Sequence, residues 1–170
     1  MNEALKRINQ AEEAEVESMF RDCCGSVRWT SLMTRARPFV SETELLDTAA
    51  RIWNDLHPAD WLEAFSAHPK IGETKPASAQ QERSAKWSAG EQAGTSSANE
   101  WVKQELAAAN LAYCEKFGFI FIVCATGKNA EEMSELCRGR LSNDSETEIG
   151  LAAREQQKIT EIRLRKLLSL

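Results

Sequence analysis

The sequence is short of histidine, with two in 170 residues, His57 and His68. Zinc sites take three or four His, Cys or carboxylate ligands at set spacings. No CxxC, HxxxH or HExxH string occurs, so no metal is expected. No GxGxxG or GxxxxGK[ST] string offers a phosphate cradle either. No apolar run approaches the roughly eighteen residues of a membrane span, and the charged opening, MNEALKRINQAEEAEVES, lacks the apolar core of a signal peptide. The last three residues, Leu168-Ser169-Leu170, are not the Ser-Lys-Leu peroxisomal address. Five cysteines, Cys23, Cys24, Cys114, Cys124 and Cys137, form no paired framework, as expected of free thiols in a reducing cytoplasm. The apolar surroundings of Cys124 and the helical surroundings of Cys114 and Cys137 favour inert core thiols over a Cys-His nucleophile. A net charge of −5 and a pI near 5.2 lack the basic footprint that phosphate contacts need, so nucleic acid is not an expected partner, and without an apolar span neither is a membrane.

What is present reads as one domain, residues 1–170, with a hydrophobic fraction of 42% and a charged fraction of 28%. Apolar positions recur at three- and four-residue spacing and hairpin dipeptides are missing. The expected fold is all-α, a single-domain helical bundle of about eight helices with one short buried extended segment. That segment is FIFIVCA, residues 119–125, rich in strand formers but without a partner strand in the sequence. Helices are expected over residues 11–24, 29–36, 58–66 and 79–87. Ser41 and Glu44 form a capping-box pattern opening a helix to Leu56. A long helix spans about 98–116 and stops at Gly118. Asn129 with Glu132 opens another to Leu141, and Asn143 or Asp144 opens the last, to about Leu168.

The two histidines sit eleven positions apart and each precedes proline, which suits a first helical position and pushes the preceding residue out of the α region. After His57 comes an amphipathic run, Ala59 to Phe65, so His57 reads as a helix-entrance residue. After His68 the helical pattern stops within a few residues, so His68 reads as a side chain presented by a tight turn. On these grounds alone a hydrogen-bonded structural role for His68 is the first reading. Ser88, with Glu91 three residues on, likewise reads first as a helix N-cap, against which stands the Gly- and Ser-rich stretch AGEQAGTSSA.

Four strings in order change that balance: HPKIGE at 68–73, SAGEQAG at 88–94, EKFGFIFIVCATG at 115–127 and KITEIRLRKLL at 158–168. Together they resemble the ureidoimidazoline decarboxylase family, which acts on 2-oxo-4-hydroxy-4-carboxy-5-ureidoimidazoline (OHCU) in urate breakdown, and the resemblance covers nearly the whole chain. It implies that His68 and Glu91 are the acid/base pair. It also implies that Pro69, Ser88, Gln92 and Arg163 contact the substrate, and that backbone groups of Phe119, Ile120, Phe121 and Ile122 line the same pocket. Relatives often read FGFPF where this chain has Ile120 in place of the proline, which restores an N–H to the backbone there. The resemblance further implies a small-molecule substrate, no metal or organic cofactor, (S)-allantoin as product, and a cytoplasmic homodimer. Loss of CO2 leaves an electron pair that the adjacent C=N bond of the substrate can accept, so the protein need only orient and protonate. Two other readings stand beside this one. A catalytically silent helical interaction module would have lost His68, Glu91 or Arg163, and all three are present. A different carbon–carbon lyase or hydrolase on the same His/Glu pair is separable only by substrate trials.

Overall fold

The computed structural model of the chain describes residues 2–69 and 79–170. The second half of the HPKIGE string, residues 70–73, and the loop expected over 74–78 lie outside the described residues. Within the described residues there are nine α-helices and no strand: α1 Glu3–Gln10, α2 Glu13–Cys23, α3 Val27–Arg35, α4 Glu42–Asn54, α5 Pro58–Ser66, α6 Ala79–Glu91, α7 Glu100–Phe117, α8 Ala130–Arg140 and α9 Ser145–Leu168. A 3-10 turn, Ala93–Thr95, joins α6 to the segment before α7. The all-α expectation holds, with one helix more than the eight expected. The addition is α1, whose charged sequence hides a buried stripe of Ala4, Leu5 and Ile8. None of these described helices is long and apolar enough to cross a membrane.

Caps fix most boundaries. Ser41 accepts the Glu44 N–H at 3.1 Å, and Glu44 reaches back past it to the Val40 N–H at 2.6 Å. Asn129 and Glu132 make the reciprocal box in full, both bonds at 2.8 Å. Asp144 takes the Thr147 N–H at 2.7 Å and so starts α9. Gly118 closes α7 at φ 77°, a left-handed conformation that costs glycine least.

The expectation that Ser88 is an N-cap is overturned. Helix α6 runs through it to Glu91, and the Gln92 N–H donates to the Ser88 carbonyl at 3.0 Å, so Ser88 and Glu91 form the last turn of a helix rather than the first. The next helix takes its N-cap from Asn99, whose side chain accepts the Val102 N–H at 2.9 Å.

The chain divides into two compact units. One comprises residues 1–64 and 157–170. Its core is aromatic: Phe20 meets Trp29 and Phe39 edge-on at 6.0 and 6.5 Å, and the Trp29 indole N–H donates to the Ala49 carbonyl at 3.1 Å. In this unit α2 packs on α3 and α3 on α4. The Asn2 side chain donates to the Leu168 carbonyl at 2.7 Å. The other unit comprises residues 65–156, where α7 packs on α8 around Val102, Leu106, Tyr113, Phe121, Val123 and Met133. The apolar run from 119 carries neither helix nor strand, and its residues 121–125 are all buried.

Candidate active site

Helix α5 delivers His68. It begins at Pro58, where the His57 N–H donates to the Asp60 carboxylate at 3.2 Å, the entrance read from the sequence. In its last turn Phe65 is fully buried and its ring packs 5.3 Å from that of Phe119. The chain then turns, with the His68 N–H donating to the Phe65 carbonyl at 3.2 Å. His68 and Pro69 are half-buried, whereas His57 is exposed. The His68 Nε2 lies 2.6 Å from the side-chain oxygen of Gln156 on α9.

Helix α6 delivers the second group. Ser88 and Glu91 are buried in its last turn, and Gln92, half-buried, follows directly. The 3-10 turn after them is tightened by Thr95, whose N–H and hydroxyl both donate to the Gln92 carbonyl, at 2.9 and 2.8 Å. Gly94 is required here for space: a Cβ at this position would stand 2.1 Å from the Lys128 carbonyl oxygen, inside any tolerable contact.

The run from 119 lies between these two ends in the contact network. The Cys124 N–H donates to Glu155 at 2.7 Å, and the Lys128 ammonium donates to the Cys124 carbonyl at 2.8 Å. The Ile122 carbonyl accepts from Arg140 at 2.7 Å. Phe119 and Phe121 flank the Tyr113 ring at 5.7 and 5.3 Å. Glu148, fully buried, gathers the remaining polar groups: it accepts from the Tyr113 hydroxyl, from Arg140 Nε at 2.6 Å and from the Asn143 amide at 2.9 Å. Burial, and then the hydrogen bond to Glu148, push the Tyr113 phenol well above its ordinary range, so it stays a donor.

Of the residues the sequence singles out, His68, Pro69, Ser88, Glu91, Gln92, Phe119, Ile120, Phe121 and Ile122 all fall in the unit of residues 65–156. A continuous set of contacts links the two motif ends, running from His68 to Gln156, from its neighbour Glu155 to Cys124, from Cys124 to Lys128 and from Lys128 to Gly94. Arg163 belongs to the other unit, buried on α9 with its guanidinium 3.4 Å from the Asp22 carbonyl. Beside it, burial pushes the Cys24 thiol up to about 11, a rise that Arg163 partly offsets. Gln156, Glu155 and Arg140 are the participants that the sequence reading passes over, and Gly94 entered it only as the end of the SAGEQAG string. Among the described residues no three His, Cys, Asp or Glu side chains are grouped to hold a metal ion.

Comparison with known proteins follows the same geography. Residues 9–165 match the family model for OHCU decarboxylase. The uric acid degradation bifunctional protein TTL of Arabidopsis thaliana is 43% identical over 157 residues, which is 90% of this chain and 47% of that protein. The chain thus spans about half the length of that relative. The 2-oxo-4-hydroxy-4-carboxy-5-ureidoimidazoline decarboxylase of Haloferax volcanii is 26% identical over 161 residues, 94% of this chain and 93% of that protein. A crystal structure of OHCU decarboxylase in the presence of (S)-allantoin superposes with a TM-score of 0.78 at 38% identity, covering 94% of this chain and 100% of that one.

Proposed function

The chain belongs to the OHCU decarboxylase family, and from that premise we propose that it removes CO2 from OHCU to give (S)-allantoin in urate breakdown, with His68 and Glu91 as its acid/base pair. The family match over residues 9–165, which takes in every candidate site residue, carries the reading. Histidine changes charge near neutral pH and can take up and return a proton within one turnover. Glu91 closes a helix whose C-terminal end is rich in acceptors and partial negative charge, which suits the ring and ureido N–H groups of the substrate. Its carboxyl helps deliver the proton to one face of the ring, and that fixes the handedness of the product. Ser88, Gln92 and Pro69 complete the contacts, with the backbone of Phe119, Ile120, Phe121 and Ile122 running extended along the ligand. The planar fork of Arg163 takes a carboxylate or carbonyl. The reaction needs no metal or organic cofactor, because the C=N bond of the substrate is its own electron sink. The working form is a homodimer of one domain per chain in the cytoplasm.

Both histidines precede proline, so each serves as the control for the other. His68→Asn is expected to lower turnover roughly 100-fold or more, the scale of a lost general acid/base, while His57→Asn stays near the parental rate. The assay generates OHCU in place from urate with upstream enzymes and follows circular dichroism as chiral allantoin appears, since uncatalysed decay gives racemate. A parental protein that builds no handed signal would favour the silent interaction module, and a fully active His68→Asn would remove His68 from the site.

A further inference from the structure

We propose that Gln156 is the positioning residue of His68, holding the imidazole by Nε2 so that proton exchange with the substrate runs through Nδ1. The inference rests on the reading of His68 as the acid/base and extends it to a residue outside the four motif strings.

The Nε2 atom and the Gln156 side-chain oxygen are 2.6 Å apart. An amide oxygen can only accept, so with the Gln156 oxygen turned to the ring Nε2 carries the hydrogen. Gln156 is fully buried. An amide moved out of water is destabilising unless it is bonded. Shape alone would be met by leucine or methionine. The neighbouring residue fixes the same stretch of helix: Glu155 takes the Cys124 N–H at 2.7 Å, so two consecutive α9 side chains bind the apolar run and the imidazole respectively. The peptide N–H of His68 is already committed to the Phe65 carbonyl at 3.2 Å, so backbone and ring are held from opposite ends.

The chemical identity of the partner has a consequence. A carboxylate in this place would stabilise the imidazolium and resist giving the proton back, whereas a neutral amide orients the ring with little bias toward either charge state. With Nε2–H retained throughout, Nδ1 takes the substrate's proton to form the imidazolium and later returns the same proton from the same atom.

The test joins a ring-proton measurement to kinetics. In 15N-labelled protein the two histidines are told apart with His57→Asn, and His68 is expected to show an Nε2–H proton in exchange slow enough to be detected. Gln156→Met, close in shape but without the acceptor, is expected to lose that proton and to lower kcat about tenfold or more, in the range seen when a reacting group is misplaced by about 1 Å. KM is expected to stay within about a factor of two. Gln156→Glu, which keeps an acceptor oxygen, is expected to keep the protected proton. The proposal is overturned if the unmodified protein shows no protected Nε2–H, if that proton survives in Gln156→Met, or if Gln156→Met turns over at the parental rate while His68→Asn is inactive. An active His68→Asn would instead defeat the underlying reading of His68, and the role of Gln156 would go with it.

Discussion

Replacing Arg140 by methionine tests a buried ion pair in the residue 65–156 unit. The Arg140 side chain is 13% exposed and its ion-pair partner Glu148 is 0% exposed. The guanidinium is shared among Glu148, the Ile122 carbonyl at 2.7 Å, the Tyr113 hydroxyl at 3.4 Å and the Phe121 ring, whose centroid is 4.8 Å away. Methionine keeps much of the apolar stem but leaves the buried carboxylate facing the Tyr113 hydroxyl and the Asn143 amide without its cation. Removing one member of a buried ion pair costs about 3–5 kcal/mol, most of it the uncompensated charge. For a domain of this size that is a fall in Tm of roughly 10 °C, and a large share of a typical total stability of about 5–15 kcal/mol. The Ile122 carbonyl loses its donor as well, so decarboxylation is expected to weaken by more than the fraction unfolded explains. The assay is calorimetric or denaturant unfolding of Arg140→Met, Glu148→Gln and the double variant, with turnover measured well below each Tm. The double variant is expected to recover most of the loss, since two neutral groups leave no stranded charge. If Arg140→Met melts within about 2 °C of the parent, or the double variant melts no higher than Arg140→Met, the pair is not the buried unit described.

Gly94→Ala puts a methyl group 2.1 Å from the Lys128 carbonyl and must displace one segment by about an ångström; overpacking of this kind costs roughly 1–3 kcal/mol, and turnover is expected to fall by more than about tenfold because Ser88, Glu91 and Gln92 end the helix that leads directly into this turn. Burial pushes the Cys24 thiol up to about 11 and the Cys137 thiol up to about 12. Both therefore stay protonated at pH 8, and alkylation followed by mass spectrometry is expected to leave them unmodified until the protein unfolds. The same raised values contribute stability in full below the ordinary thiol value of 9.0 and lose it as pH climbs toward 11–12, so urea midpoints are expected to drop across that window and to drop less in Cys137→Ala. Excess chelator is expected to leave decarboxylation at its full rate; activity lost to chelator and restored by one added metal would contradict the cofactor-free scheme.

Local signals were legible where a short-range contact decides the outcome. Pro58 after His57, the Asn129/Glu132 box and the left-handed Gly118 each fixed a boundary within a residue. The Ser88/Glu91 pattern misled because a serine three residues before a glutamate serves equally well inside a helix. Here the helical bond from the Gln92 N–H to the Ser88 carbonyl puts both residues in a last turn, and the cap of the next helix falls to Asn99. Arg140 and Glu148 read as ordinary charges at the end of α8 and the start of α9, and only tertiary packing buries them together. Gln156 did leave a trace. Ala152, Ala153, Gln156, Ile159, Thr160, Arg163, Leu164 and Leu167 are buried at helical spacing along α9, and three of them are polar. A glutamine, a threonine and an arginine on an otherwise apolar stripe mark a helix face that does more than pack, and the resemblance assigns a role to the last of the three alone.

The bond from the Asn2 amide to the Leu168 carbonyl brings the two extremities of the described chain within one hydrogen bond of each other. The polypeptide is thus almost a closed loop, which makes it a candidate for circular permutation. A short glycine-rich splice from residue 168 to residue 2, with new ends cut in the exposed turn at Ser96–Ser97, would leave every helix intact. Any polypeptide tethered before residue 2 or after residue 168 departs from the same place, so a fused neighbour could be moved from one end to the other with little change in where it hangs.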